Sequence, residues 1–345
     1  MPQSANQNDQ TVLDLRDLSI SFGSDDIPPL VDRISFSVGA GETLCVVGES
    51  GCGKSITSLA VMGLLDGARI TGEARLLGED LLSASERRRE DVRGDRMAMI
   101  FQEPMTSLNP AYTIGRQIGE AIRRHRPIRG AALRAEVIAM LRRVGVPGPE
   151  RRYDAYPHQM SGGQRQRVMI AMALINAPSL LIADEPTTAL DVTIQAQILA
   201  LVRQLQAETG TAVIMITHDL RVVAEVGDKL VVMYAGHVVE SGSVAQIFDD
   251  PQHPYTVGLF GAMPTMAKRQ GQLATIAGNV PAPKDFPAGC RFAPRCPFAL
   301  ARCHAERPPL ADAGAGAGHQ VACWRAPIED IPVSDLLSSG REALA

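Results

Sequence analysis

The 345-residue sequence contains no long hydrophobic run. Its longest apolar stretches, such as AVIMI at 212–216, suit buried strands and fall far short of the roughly 18 residues that a membrane-spanning helix needs. The first ten residues, MPQSANQNDQ, are polar and lack the apolar centre of a secretory signal. We therefore expect a chain that stays in the cytoplasm and does not itself cross a membrane.

The sequence also lacks an excess of positive charge and any visible internal repeat. Lys and Arg number 34 against 38 Asp and Glu, and the net charge of -4 argues against wholesale nucleic-acid binding. Hydrophobic residues make up 45% and charged residues 21%, which is ordinary for a protein that buries a core. The length favours two domains, or one large domain with an extension.

Segments that resemble strands alternate with segments that resemble helices. TVLDLRDLSISF at 11–22 alternates apolar and polar residues, whereas the apolar runs at 44–47, 179–183, 212–216 and 229–233 are typical of buried strands. The stretches between them, most clearly from 111 to 160, carry apolar residues at helical spacing. This alternation predicts an α/β fold with a largely parallel sheet.

The composition changes after Asp250. Prolines become frequent, and GAGAG at 314–318 is typical of a flexible break. We predict a domain over residues 1–252 and a separate C-terminal extension over 253–345. Earlier in the chain, the charged run ASERRREDVRGD at 84–95 is expected to be a solvated loop or helix face.

GESGCGKS at 48–55 matches the phosphate-loop pattern G-x-x-x-x-G-K-[ST], between an apolar strand and a helical pattern. Glycines let backbone N–H groups turn around phosphate oxygens at the positive end of the helix. Lys54 is predicted to reach the β- and γ-phosphates, and Ser55 to bind Mg²⁺. Cys45 and Cys52 are expected to be small buried or loop residues rather than reactive thiols. The predicted ATP-binding residues here are Gly48, Glu49, Ser50, Gly51, Cys52, Gly53, Lys54, Ser55 and Ile56.

A second part of the site is predicted at SLLIADEP, residues 179–186. The apolar strand ends in Asp184, a carboxylate placed to hold Mg²⁺ through water. Glu185 is expected to point the other way along an extended chain, where it can polarise an attacking water.

MSGGQRQRV at 160–168 resembles the signature sequence of ABC ATPases, with Met160 in place of the usual leucine. FQEP at 101–104, TALD at 188–191 and ITHD at 216–219 resemble the Q-loop, D-loop and switch of that family, in the same order. The resemblance covers about residues 11–250. It implies a P-loop ATPase with a RecA-like core, an antiparallel β subdomain and a helical subdomain at about 100–168, followed by a small Pro/Cys-rich C-terminal module.

The resemblance also implies roles for individual residues. Glu185 would be the base, with His218 and Lys54 at the γ-phosphate; Gln102 would contact Mg²⁺ or water together with the Ser55 and Asp184 ligands. Phe22 occupies the place of an aromatic that stacks on adenine. In a head-to-tail dimer the signature would reach the ATP of the opposite subunit, beside the D-loop residue Asp191. The signature residues are Ser161, Gly162, Gly163 and Gln164.

Two classes of function follow from such an ATPase: an importer subunit, or an ATPase acting on nucleic acid or ribosomes. HPYT at 253–256, followed by GCRFAPRCPFALARC at 289–303, resembles the C-terminal module of oligopeptide/dipeptide permease ATPases, of the D type. This favours import of di- or oligopeptides. Nickel and glutathione importers of the same family are the alternatives.

The same resemblance implies partners and a location. A second, similar ATP-binding subunit would complete a heterodimer, and two transmembrane permease subunits would dock on the helical region beside Gln102, at EPMTSLNP. A substrate-binding protein outside the membrane would complete the complex, and no nucleic acid is expected. The chain would lie peripherally on the cytoplasmic face of the inner membrane.

Four cysteines near the end, Cys290, Cys296, Cys303 and Cys323, have the spacing C-x5-C-x6-C-x19-C. Four thiolates suit a [4Fe–4S] cluster or a structural zinc, and absence of metal is the third alternative. Some members of the resembling family carry an iron–sulfur cluster here. Arg291, Arg295 and Arg302 would offset the charge of a thiolate-bound cluster or form a solvated basic patch. His304 and His319 are expected to face solvent.

Overall fold

The computed structural model describes residues 11–24, 26–102, 107–187, 191–261, 276, 278–314 and 318–328, which form two β-sheets with helices packed on them. The strands are β1 (Thr11–Phe22), β2 (Val31–Gly39), β3 (Thr43–Val47), β4 (Ala68–Leu76), β5 (Glu79–Asp80), β6 (Met97–Ile100), β7 (Leu180–Asp184), β8 (Ala212–Ile216), β9 (Lys229–Tyr234), β10 (His237–Ser243), β11 (Ala311–Asp312) and β12 (Gln320–Val321). The helices are α1 (Lys54–Met62), α2 (Glu86–Val92), α3 (Ile114–His125), α4 (Gly130–Arg143), α5 (Pro149–Arg152), α6 (Gly162–Leu174), α7 (Val192–Thr209), α8 (Leu220–Val226), α9 (Val244–Asp249), α10 (Pro254–Gly261) and α11 (Ala301–Ala305).

The larger sheet has the strand order β11-β12-β10-β9-β3-β8-β7-β6. Strands β6, β7, β8, β3 and β9 run parallel to one another, and β10, β12 and β11 continue the sheet antiparallel. Every residue of β3, β7 and β8 is buried, because one face of the parallel part packs on helices and the other on α1 and the smaller sheet. The largely parallel α/β sheet predicted from the apolar runs is confirmed.

The smaller sheet is antiparallel, in the order β2-β1-β4-β5. Strand β1 has the bounds that its alternating pattern predicted. Its buried residues Leu13, Leu15 and Ile20 belong to one hydrophobic cluster with Val46 of β3 and Val61 of α1. The antiparallel sheet therefore packs on the part of the large sheet that precedes α1.

The region predicted to be helical from 111 to 160 contains α3, α4 and α5. Helix α3 begins after Thr113, whose hydroxyl accepts a hydrogen bond from the backbone N–H of Arg116 (3.4 Å). Ile114, Ile118 and Ile122 line one face of α3 at four-residue spacing and are fully buried. The charged run from 84 to 95 holds α2, of which only Val92 is buried, so a solvated helix face is confirmed there.

The chain from α10 onward packs against the large sheet. Strand β12 pairs with β10, Glu240 opposite Val321 and Ser241 opposite Gln320. Tyr255, Phe260 and Phe292 are buried in the main hydrophobic core. The C-terminal region thus shares both a sheet and a core with the residues before 250.

Candidate active site

A glycine-rich loop joins β3 to α1, and its backbone takes conformations that other residues avoid. Gly48, Gly51 and Gly53 have φ angles of +152°, +81° and +101°. At Gly48 a Cβ atom would lie 2.1 Å from the carbonyl oxygen of Met233 in β9, so glycine is required there. A loop of this kind, ahead of a helix N terminus, is suited to binding an anion.

Lys54, the first residue of α1, closes this loop on itself. Its ammonium group donates to the carbonyl oxygens of Gly48 (2.7 Å) and Glu49 (3.0 Å) and lies 3.5 Å from the sulfur of Cys52. A phosphate offers charged acceptors, which form stronger hydrogen bonds than carbonyl oxygens do. The ammonium is therefore placed to move its hydrogen bonds from the loop carbonyl oxygens to a bound phosphate.

Of the two alternatives for the cysteines of this region, buried or loop residue, both cysteines are fully buried. Burial raises the pKa of Cys45 to about 12 and also raises the pKa of Cys52. Both side chains are therefore protonated thiols at neutral pH, without the thiolate that reactivity requires.

Ser55 and Asp184 meet at the base of the loop. The Ser55 hydroxyl hydrogen-bonds to the Asp184 carboxylate, and burial is the main cause that raises the pKa of that carboxyl. The Oδ1 atom of Asp184 is buried and has no hydrogen-bond partner among the described residues. A hydroxyl and a carboxylate oxygen without a partner are hard oxygen donors of the kind that Mg²⁺ prefers, so these residues fit a magnesium ion.

Two predicted site residues, Gln102 and His218, contact the carboxylate of a third, Glu185. Its Oε2 accepts a hydrogen bond from the Gln102 amide (3.1 Å), and its Oε1 lies 3.2 Å from Nδ1 of His218. The prediction of an extended chain at Glu185 is wrong, because β7 ends at Asp184 and Glu185 has a left-handed φ of +46°. Its backbone N–H donates to Ile216 of β8 at 3.0 Å, which stabilises this turn.

The signature residues form the start of α6. The Ser161 hydroxyl accepts a hydrogen bond from the Gln164 N–H, and the Gln164 side chain accepts one from the Ser161 N–H. This reciprocal cap fixes the helix N terminus. A Cβ on Gly163 would lie 3.1 Å from Ile194 of α7, so the starts of α6 and α7 are adjacent.

Two further predicted residues lie at element ends. Asp191 caps α7, because its carboxylate accepts the N–H of Ile194 at 2.9 Å. The other D-loop residues of TALD lie outside the described residues. Residues 103–106 of the predicted dock also lie outside them.

Phe22 ends β1 and is 37% exposed. A Cβ on Gly53 would lie 2.7 Å from Val31 of β2, so the sheet that carries Phe22 touches the phosphate loop.

Two residues that contact the phosphate loop were not predicted to do so. The Tyr255 hydroxyl accepts a hydrogen bond from the Glu49 N–H (2.9 Å), and the Arg295 guanidinium donates to both oxygens of the Glu49 carboxylate (3.0 and 3.1 Å). Tyr255 belongs to the HPYT motif, and Arg295 precedes a cysteine of the C-terminal cluster. Neither sequence pattern indicates a contact with Glu49.

The four C-terminal cysteines line one small cavity together with His253 and Trp324. All four are free thiols. Burial raises the pKa of Cys296 to about 12 and of Cys323 to about 11, and the neighbouring cysteines add to both shifts. Among the described residues, no three His, Cys, Asp or Glu side chains are arranged to hold a metal ion.

The charged residues around the cysteines are less solvated than predicted. His319 is fully buried against Glu240, so the prediction that it faces solvent is wrong, whereas His304 is exposed. The side chains of Arg291 and Arg295 are only 5% and 7% exposed, which excludes them from a solvated basic patch. Both guanidinium groups instead donate hydrogen bonds to groups of the first 250 residues. A guanidinium group that is removed from water needs such partners.

Comparison with known families gives two matches. Residues 31–188 match a family described as ABC transporter, and residues 239–303 match one described as oligopeptide/dipeptide transporter, C-terminal region. The chain is 49% identical over 330 residues to a probable peptide ABC transporter ATP-binding protein of Sinorhizobium fredii, across 94% of this chain and 98% of that one. It is 52% identical over 302 residues to the dipeptide transport ATP-binding protein DppD of Escherichia coli, across 87% and 92%.

Solved structures include similar folds. The dimeric post-hydrolysis state of the ATP-binding cassette MJ0796, bound to ADP and Pi, superposes with a TM-score of 0.60 at 28% identity, over 67% of this chain and 98% of that one.

Proposed function

The chain belongs to the family of ABC transporter ATP-binding proteins, and we propose that it hydrolyses ATP to power the import of di- or oligopeptides. The main support for this proposal is that nearly the whole chain, including its C-terminal region, is similar to peptide and dipeptide transport ATP-binding proteins. This similarity favours peptides over the nickel and glutathione alternatives, and a transporter over an ATPase of nucleic acids or ribosomes.

ATP would bind at the phosphate loop, residues 48–56. Its phosphates would accept hydrogen bonds from loop N–H groups, and the Lys54 ammonium would turn to them from the Gly48 and Glu49 carbonyls. Phe22 would stack on the adenine from the end of β1. Ser55, Asp184 and Gln102 would hold Mg²⁺, which when bound neutralises charge that develops on the phosphates.

Hydrolysis would be carried out around Glu185. Its carboxylate, held between Gln102 and His218, would take a proton from the water whose oxygen attacks the γ-phosphorus. The bond from that phosphorus to the β,γ-bridging oxygen breaks, and ADP and phosphate are released. His218 is 66% exposed at its side chain and would contact the γ-phosphate from the solvent side.

A second, similar ATP-binding subunit would complete each site. The N terminus of α6, with Ser161, Gly162, Gly163 and Gln164, would donate to the γ-phosphate bound by the partner, and Asp191 would lie at the same interface. ATP then joins the two subunits, and its hydrolysis lets them separate. We propose a heterodimer, as in the D-type resemblance.

The peptide path itself would be supplied by other chains. In the part of the chain that the structure describes, no helix is long and apolar enough to cross a bilayer. We propose that two permease subunits form the path, that a substrate-binding protein delivers the peptide from outside, and that this chain lies peripherally on the cytoplasmic face of the inner membrane.

A transport experiment tests this proposal. The chain, its ATP-binding partner and both permeases are reconstituted in vesicles with ATP on the side of this chain, and a labelled dipeptide is offered with its binding protein on the other. We expect ATP-dependent transfer of the dipeptide, and none with Lys54→Ala. Transfer of nickel or glutathione in its place would contradict the peptide assignment.

We further propose that the four cysteines bind one iron–sulfur cluster. The support is that all four line one cavity. Each thiolate of a [4Fe–4S] cluster binds a different iron, so the cysteines need not surround a single ion, for which no arrangement exists among the described residues. The role would be structural.

Anaerobic purification tests this cluster. We expect a brown protein with about four irons per chain, and loss of the iron in Cys→Ser variants. Zinc in place of iron, or a colourless protein without either metal, would overturn the proposal and leave the ATPase unaffected.

A further inference from the structure

Glu49, in the phosphate loop, is held by the C-terminal region at two of its groups. The Tyr255 hydroxyl accepts its N–H (2.9 Å), and Arg295 binds both of its carboxylate oxygens (3.0 and 3.1 Å). The third group, its carbonyl, accepts from Lys54 (3.0 Å). The C-terminal region thus contacts the phosphate loop directly.

Arg295 is itself firmly fixed. It ends the 3-10 turn Ala293–Arg295, immediately before Cys296. Its second terminal nitrogen donates to the carbonyl oxygens of Ile276 (3.3 Å) and Gly278 (3.0 Å), and its first also donates to the Tyr234 hydroxyl (3.2 Å). The side chain of Arg295 is 7% exposed and that of Glu49 is 29% exposed, so this ion pair is partly shielded from water and stronger than a fully exposed pair.

Tyr255 is fixed as well. It is fully buried, and its ring packs on Tyr234 with 4.8 Å between ring centroids. Tyr234 ends β9, the neighbour of β3 in the sheet. The hydroxyl that holds the loop therefore stands on a rigid support.

We propose that Arg295 and Tyr255 are positioning residues that hold the phosphate loop, through Glu49, in its ATP-binding shape. The inference rests on the proposed ATPase function and deepens it. When ATP enters, the Lys54 ammonium leaves the Gly48 and Glu49 carbonyls for the phosphates, and the loop loses two of its own hydrogen bonds. The contacts from Arg295 and Tyr255 persist and keep Glu49 in place, so the loop is ordered before the nucleotide arrives.

This arrangement predicts an effect on ATP affinity rather than on the chemical step. Arg295→Ala frees the Glu49 carboxylate, and we expect the Kd for Mg-ATP to rise about tenfold, or about 1.4 kcal/mol. Arg295→Lys keeps a cation within reach of Glu49 and should recover part of that loss. In the assembled transporter the same change should appear in the KM for ATP, with kcat within about twofold.

A double-mutant cycle on the full-length chain tests the route through Glu49. Mg-ATP binding is titrated for wild type, Arg295→Ala, Glu49→Ala and the double variant. Because Glu49→Ala leaves the C-terminal region's own contacts intact, it reports the effect even if Arg295→Ala unfolds that region. We expect equal losses in the two single variants and no further loss in the double variant.

Arg302→Ala is the matched control. Arg302 belongs to the same region, stacks on Trp324 at 3.5 Å and is 54% exposed, so its loss should not change the Kd. Normal ATP binding by Arg295→Ala and Glu49→Ala, or additive losses in the double variant, would overturn the inference alone. A wild-type chain that bound no ATP would overturn the proposed function and this inference with it.

Discussion

The carboxylate of Glu240 and the imidazole of His319 lie 2.8 Å apart, with neither side chain exposed to solvent. The same carboxylate accepts the backbone N–H groups of Gln252 (2.7 Å) and His253 (2.9 Å). One side chain of β10 thus fixes the start of the HPYT segment and the residue before β12. It joins the C-terminal region to the ATPase sheet.

Removal of this carboxylate should be costly. Glu240→Ala leaves two buried N–H groups and an imidazole without an acceptor, and we expect it to lower the free energy of unfolding by about 3–5 kcal/mol. Glu240→Gln keeps one carbonyl acceptor and should cost less. Urea unfolding measures both, with Glu306→Ala, which breaks an exposed pair with Arg302, as the control. A Glu240→Ala loss as small as that of the control would contradict this reading.

Replacement of the proposed base should separate binding from turnover. Glu185→Gln keeps the shape and one acceptor but cannot take a proton from water. We expect kcat to fall by a factor of about 10²–10⁴, with the Kd for ATP little changed. Phosphate release and ATP titration measure the two quantities, and Glu208→Gln, an exposed carboxylate on α7, is the control. Near-normal hydrolysis by Glu185→Gln would remove Glu185 from the mechanism.

A single methyl group should disable the phosphate loop. In Gly48→Ala the new Cβ would lie 2.1 Å from the Met233 carbonyl oxygen and 2.8 Å from the Cys52 sulfur, at a φ of +152°. Backbone strain alone costs roughly 1–3 kcal/mol, so we expect ATP binding to weaken by about tenfold or more. Gly41→Ala is the control, because its φ is also positive but no atom lies within 4 Å of the added Cβ. Equal ATP affinity in the two variants would show that the close contact is harmless.

The unpartnered oxygen of Asp184 leads to a prediction about magnesium. Asp184→Asn preserves shape but removes the charge that would attract the ion. We expect the variant to lose the part of ATP affinity that depends on Mg²⁺ and to keep the affinity measured in EDTA. Calorimetric titration with and without Mg²⁺ measures both. An undiminished effect of Mg²⁺ would place the ion elsewhere.

Stability should depend on pH through His237. Burial lowers the pKa of His237 to about 4, although the hydrogen bond that its imidazole donates to Asp32 opposes this, and Arg291 and Arg307 lower the pKa further. In the unfolded chain the pKa returns to about 6.5, so below that pH the unfolded state binds a proton that the folded state does not. The contribution of His237 to the free energy of unfolding is therefore fully present above pH 6.5, and it is lost as the pH falls toward 4.

The loss from His237 between pH 7.5 and pH 5 should be about 2 kcal/mol. His237→Gln can still donate to Asp32 and does not titrate, so its unfolding free energy should fall less over the same interval. Urea unfolding of both proteins at the two pH values measures the difference. Parallel pH profiles would mean that His237 is not the titrating group.

The local parts of this structure could be predicted from the sequence. The bounds of β1 follow from alternation, and the phosphate loop from its glycines and lysine, because each depends on neighbouring residues alone. Two other features depend on tertiary contacts. Glu185 has a left-handed φ at the point where its N–H pairs with β8, and Arg295 binds Glu49, which lies 246 positions earlier. No short pattern encodes such a partner, so the burial of His319 and Arg295 was not predicted.

During synthesis, β10 is made well before β12, the strand with which it pairs. His319, beside β12, leaves the ribosome 79 residues after Glu240. At about 5–20 residues per second this takes roughly 4–16 s. Throughout that interval β10 presents an open edge and Glu240 has no imidazole partner, although β9 and β3 are already made. An unpaired edge is where a nascent sheet recruits the wrong strand, so β12 protects the edge of the sheet that the preceding residues form.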